Sequence, residues 1–134
     1  MGQGKKMADQ APLNGRAFPW HEVITPDPEK AKAFYTNVLG WGSEAMDMGG
    51  SDYHMFTREG EPFCGITSTE MHQGTPPHWS TYISVEDVDA TVEKAKAAGG
   101  TVVAPPMDVP TVGRMALLQD DQGAHFWVFK STNP

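Results

Sequence analysis

Glu22 is the side chain whose surroundings in the sequence suit it best to chemistry. Trp20-His21-Glu22-Val23-Ile24 alternates bulky or apolar residues with polar ones. A strand here sets Trp20, Glu22 and Ile24 on one face and His21 and Val23 on the other. A carboxylate held beside an indole is partly desolvated, which suits it to act as a general base or to anchor a cationic ligand. Pairing with Arg114, or an outlet to solvent, would leave it neither role. The same alternation puts His125, Trp127 and Phe129 on one face of the last apolar run, Ser80, Tyr82 and Ser84 on one face of an earlier run, and Phe63, Gly65 and Thr67 on one face of a third. In that company His125 could shuttle a proton or bond a ligand; otherwise it is a surface residue beside a turn. Two indoles and several rings around a few polar groups form a slot for a flat or apolar molecule. The competing expectation is that Trp20 and Trp127 simply fill the space they face. His21 and Cys64 fall on the opposite faces, His72 and His78 flank a Pro-rich stretch and are expected to be exposed, and no spacing fixes a Ser/His/Asp or Cys/His triad.

The elements that must position these residues come in a repeated order. After the first strand, Asp27 caps a helix with Pro28 at its first position, Ala31, Phe34, Tyr35 and Val38 form an apolar stripe, and Gly40 supplies the stop. Strands follow over 43–48, 51–58 and 63–69, with Glu59-Gly60-Glu61 as a hairpin turn. Residues 71–77 break every pattern and read as a linker. The order then restarts: a strand over 78–85, a helix capped by Asp87 with Val88, Val92 and Ala95 on one face and Gly99-Gly100 at its end, a strand over 101–104 stopped by Pro105-Pro106, and two strands over 113–119 and 124–130 joined by Asp120-Asp121-Gln122-Gly123. Glu-Lys-Ala-Lys-Ala recurs at 29–33 and 93–97, although the repeated order of elements is the stronger sign of duplication. The expectation is one α+β domain over 16–131, made of βαβββ modules 16–70 and 78–131, behind a loose tail at 1–15.

Composition narrows the partners. At 134 residues the chain has the length of one domain, and its 20% charged and 39% apolar content is ordinary for a globular protein. Ten Lys and Arg against seventeen Asp and Glu give a net charge of −7, which repels phosphate backbones and anionic lipid. Nucleic acid and membrane are therefore not expected as partners. One cysteine, Cys64, forms no internal disulfide, and no leader pattern stands at the start, so the expected compartment is a reducing cytoplasm.

Two βαβββ modules with Asp27, Phe34-Tyr35 and Leu39-Gly40-Trp41 in the first, and Ile83-Ser84-Val85, Gly99-Gly100 and Asp120 to Gly123 in the second, resemble the vicinal oxygen chelate superfamily over residues 18–130. That is the fold of glyoxalase I, extradiol dioxygenases, fosfomycin-resistance transferases and bleomycin-binding proteins. The resemblance implies two modules whose strands curl as a half-barrel mixed sheet around a cavity, with helices on the outer face, and a homodimer. Metal-dependent members chelate a divalent ion with His and Glu from the first and last strands of each module. Carried over by spacing, those positions are Trp20, Gly65, Ser80 and Trp127, none of which offers an imidazole or carboxylate. A one-residue shift yields His21, Cys64 or Ile66, Trp79 or Thr81, and Phe126 or Val128, which still lacks a carboxylate; gathering His21, His78 and His125 needs a separate displacement for each. No metal and no cofactor is expected.

Two functions from different classes follow. One is a metal-independent protein that binds an aromatic or cationic small molecule, as the bleomycin-binding members do, with Trp20, Glu22, Phe63, Ser80, Tyr82, His125, Trp127 and Phe129 as the lining. The other is a glyoxalase-like lyase or dioxygenase-like oxidoreductase with a rearranged metal site or Glu22 as base, in which Glu22 and His125 are the catalytic candidates. A domain with no ligand is the third reading.

Overall fold

In the computed structural model the described residues are 15–50, 52–72 and 75–132; the expected tail at 1–15 lies outside them except for its last residue. The elements are β1 (Trp20–Thr25), α1 (Pro28–Leu39), β2 (Gly42–Asp47), β3 (Asp52–Arg58), β4 (Glu61–Ser68), a 3-10 turn at Thr69–His72, β5 (His78–Ser84), α2 (Val88–Ala97), β6 (Thr101–Val109), β7 (Gly113–Gln119) and β8 (His125–Ser131). The fold is α+β, in two βαβββ modules. They form two compact units, one spanning Trp20–Trp79 and the other running from Ser80 together with the stretch that ends at Pro19. Among the described residues no helix is long and apolar enough to cross a membrane.

In the first unit the strands run in the order β2-β3-β4-β1, with β1 parallel to β4 and the remaining pairs antiparallel. Helix α1 starts where the sequence says it should: the Asp27 carboxylate accepts from the Lys30 amide at 3.1 Å, Pro28 follows, and Gly40 closes the helix at φ 73°. Val23, Phe56, Cys64 and Ile66 form the core on the α1 side, with Ala31, Tyr35, Trp41 and Phe63 against them. The expected stripe is only half used. Ala31 and Tyr35 meet the sheet, whereas Phe34 and Val38 are 57% and 55% exposed. The line of contact follows the Ala31–Tyr35 edge of the stripe rather than its middle, so the flanking residues are left outside.

In the second unit the order is β5-β8-β7-β6, with β5 parallel to β8. Asp87 accepts from the Ala90 amide at 3.0 Å, and Val88 and Val92 are buried against Ala116, Leu118 and Val128, with Ala95 beside them. Asp120 closes the last hairpin by accepting from the Gln122 and Ala124 amides, which holds its carboxyl below the usual range. The largest boundary difference from expectation is in β6, which does not stop at Pro105-Pro106 but continues to Val109, with register shifts between Val102 and Ala104 and between Ala104 and Met107. It lies at the end of its unit's strand order, where a missing amide donor is tolerated and irregular pairing absorbs the rings.

Candidate functional site

The face of the first unit that points away from α1 carries a small polar network. Glu22 is 6% exposed. The Tyr53 hydroxyl donates to its Oε2 at 2.6 Å, and the same hydroxyl accepts from the Trp20 indole Nε1 at 3.0 Å. A phenol has one proton to give, and it goes to the carboxyl; the indole, a donor only, then fixes the phenol from the other side. Strand pairing explains the meeting. Glu22 lies opposite Gly65 on the parallel β1/β4 pair, and Met55 of β3 lies opposite Gly65 from the other flank, which brings Tyr53, two residues back on the same face, over that glycine. A side chain at 65 would overlap the Tyr53 hydroxyl and would stand 3.2 Å from Glu22 Cγ. Ile24 is fully buried on this face, and Thr67, opposite Ile24, has its hydroxyl 3.2 Å from His72 Nε2.

Trp20 and Glu22 are therefore brought together as the alternation of β1 predicts. Tyr53 is a third member, which alternation places on a strand face but does not single out. Phe63 is a correction. It lies on the α1 side, its ring 4.8 Å from that of Trp41, edge to face. A bulge between the Phe56/Cys64 and Thr57/Pro62 pairs inserts a residue into β4, so counting by twos from Gly65 gives the wrong face for Phe63. His72, expected to be exposed, is half-buried, and burial first and His78 second pull its pKa down. His21 lies on the helix side as expected, opposite Cys64, but is exposed there. Cys64 is buried as expected, and its thiol is pushed up to about 12 by burial and by the Glu22 carboxylate, which keeps it protonated and inert.

In the second unit Tyr82 and Trp127 stack with ring centroids 5.3 Å apart and 11° between planes, and Phe129 meets Tyr82 edge-on at 6.1 Å. All three are buried. Ser80 is half-buried on the same face of β5 as Tyr82. His125 sits at the exposed start of β8, its Nε2 3.1 Å from the Gln119 amide nitrogen. Arg114 is taken up elsewhere than by Glu22: its guanidinium forks onto Asp89 at 2.8 and 2.9 Å and reaches Asp108 at 3.1 Å. The groove at the start of α2, which these three line together with Glu86, Lys130 and Ser131, thus has much of its charge paired internally.

A divalent ion is implied for many members of the fold suggested by the sequence. Among the described residues no three His, Cys, Asp or Glu side chains are gathered. Of the carried-over positions, Trp20 spends its nitrogen as a donor to Tyr53, Gly65 has no side chain, and Trp127 packs against Tyr82.

Comparison with known proteins agrees with this architecture. A protein of Mycobacterium bovis named "Putative glyoxylase CFP32" is 41% identical over 111 residues, 83% of this chain and 42% of that protein. "Anthracycline biosynthesis protein DnrV" of Streptomyces peucetius is 31% identical over 125 residues, 83% of this chain and 46% of that one. The chain thus spans less than half the length of these relatives. Among solved structures, methylmalonyl-CoA epimerase from Mycobacterium tuberculosis has a TM-score of 0.58 at 14% identity, over 87% of this chain and 88% of that one. A hypothetical protein from Bacillus halodurans C-125 has a TM-score of 0.59 at 14% identity, over 86% and 94%. These two likenesses concern the fold. The family model for the Glyoxalase/Bleomycin resistance protein/Dioxygenase superfamily matches residues 17–128, and with two βαβββ modules in the same span the chain belongs to that superfamily.

Proposed function

We propose that this chain is a metal-independent small-molecule-binding domain that takes an aromatic or cationic compound. The observation that carries the reading is the buried Glu22 carboxylate, oriented by the Tyr53 hydroxyl beside the Trp20 indole. An acid in that setting offers charge and acceptor atoms to a cation, and the rings offer stacking area. The second unit carries an aromatic group of its own, Tyr82, Trp127 and Phe129, and one relative is named for anthracycline biosynthesis. A thermal-shift and tryptophan-fluorescence screen against aromatic and cationic compounds tests it: at least one hit whose signal is abolished by Trp20→Ala or Trp127→Ala is expected, and a screen without such a hit overturns the reading.

The second reading is a glyoxalase- or dioxygenase-like enzyme with Glu22 as general base, favoured by the name of the mycobacterial relatives. It requires turnover that Glu22→Gln removes, or near-stoichiometric Ni, Zn, Mn or Fe in purified or reconstituted protein. The reading we favour also takes the chain as a homodimer of the cytoplasm. In support, β2 is exposed along its whole length at the end of its unit's strand order and invites a cover, and the sole cysteine is a buried free thiol.

A further inference from the structure

We propose that the outward face of α1 is where two copies of this chain meet, α1 against α1, antiparallel about a two-fold axis near Phe34. The inference deepens the homodimer part of the reading above and rests on it. The two modules supply their own comparison, since α1 and α2 hold the same place in the repeated order of elements. The outward face of α2 is built for water: Val88 and Val92 are buried, while Asp89, Glu93, Lys94 and Lys96 are exposed. α1 has it the other way round. It buries no residue completely, and Phe34, Val38 and Leu39 stand about half exposed or more. Half-exposed Trp79 extends the same surface: the rings of Phe34 and Trp79 flank that of Tyr35 edge to face, at 5.1 and 5.3 Å. The fold does not demand such a face, because the sister helix does without one.

Size and charge both favour a second copy as the cover. Four large side chains about half exposed leave on the order of 400 Å2 of apolar surface in water. That is roughly half of the ~800 Å2 each partner brings to a stable interface, close to the apolar share of such an interface. Lys30, Phe34 and Val38 follow one another at four-residue steps, the ridge by which two helices interlock. Antiparallel alignment about Phe34 sets Lys30 of each copy against the last turn of the other α1. That turn carries no basic residue, and its outermost carbonyls form the negative end of the helix dipole. The contact is thus made twice over by the two-fold axis. The whole chain carries −7, whereas α1 holds Glu29 against Lys30 and Lys32, so this face meets its copy without the acidic excess of the molecule as a whole.

The test is sedimentation equilibrium of the 134-residue chain and its variants, each checked for an unchanged far-ultraviolet circular dichroism spectrum. Wild-type protein is expected to be a dimer at micromolar concentration. Val38→Glu, which sets a carboxylate among apolar side chains at the negative end of the helix, is expected to weaken dimerisation by roughly thirtyfold or more, the effect of losing one central contact. Met46→Glu adds the same charge at a similarly exposed position of β2 and is expected to leave the dimer intact. Should Val38→Glu fail to fold, Phe34→Cys decides: near the axis it is expected to join two copies by a disulfide under mild oxidation, to which the buried, protonated Cys64 thiol does not contribute, and absence of that cross-link overturns the proposal. A dimer that Val38→Glu leaves intact, or that Met46→Glu breaks as readily, overturns it and leaves the homodimer standing through another face. A wild-type monomer across micromolar concentrations removes both.

Discussion

Tyr53 carries a structural burden through its bonds to Glu22 and Trp20. Deleting its hydroxyl strips a donor from a buried carboxyl, and Tyr53→Phe should lower the unfolding free energy by about 1.5–3 kcal/mol in urea titration. The Trp20 indole proton should shift upfield in the NMR spectrum of the same variant, because its acceptor is gone. His72 makes a pH prediction. Its folded pKa lies below the ordinary value of 6.5 because burial disfavours the imidazolium and His78 adds to that. Below that value the unfolded chain binds more proton than the folded one, so the stability His72 contributes is complete above pH ~6.5 and is lost as pH falls through that range. His72→Gln should flatten that part of the stability profile, as measured by denaturant midpoints at several pH values. Of this site, Trp20 and Glu22 were legible because they share one strand and alternation suffices. Tyr53 was not, because its place over Gly65 depends on the register of β3 against β4, and Phe63 was misplaced because a bulge changes the parity of β4.

At the scale of elements, both helix starts could be read from short-range chemistry, since Asp27 and Asp87 each cap through the amide three residues on. Asp87→Ala should cost ~1 kcal/mol in chemical denaturation. Strand ends were less legible. β6 runs through two prolines because its position at the end of the strand order, a property of the sheet rather than of the segment, removes the penalty. The hairpin after it holds Thr111 at φ 66°, a left-handed conformation that a β-branched side chain resists. Thr111→Gly should therefore raise the melting temperature, corresponding to ~1 kcal/mol of relieved strain offset in part by the entropy of glycine. A lower melting temperature would mean that the threonine side chain supports the turn in some other way.

For the whole molecule, the duplicated order of elements was the most legible property, because two runs of strand, helix and three strands fit few folds. What sequence periodicity did not foresee is how much apolar surface stays outside: Phe34, Val38 and Leu39 of α1 are about half exposed or more, as is Trp79. If the chain is the homodimer proposed above, sedimentation equilibrium should return twice its mass of 14.6 kDa, and a monomer across micromolar concentrations would contradict that. Binding through Glu22 and aromatic rings without a metal ion, as proposed for this scaffold, is tested most directly by one titration. An aromatic cation such as benzamidine is added to protein stripped with a chelator, with and without restored Zn, Ni, Mn or Fe. The same affinity is expected in both cases, with loss of most of it in Glu22→Gln; binding that emerges only when a metal is restored, and that Glu22→Gln leaves intact, would contradict the proposed mode.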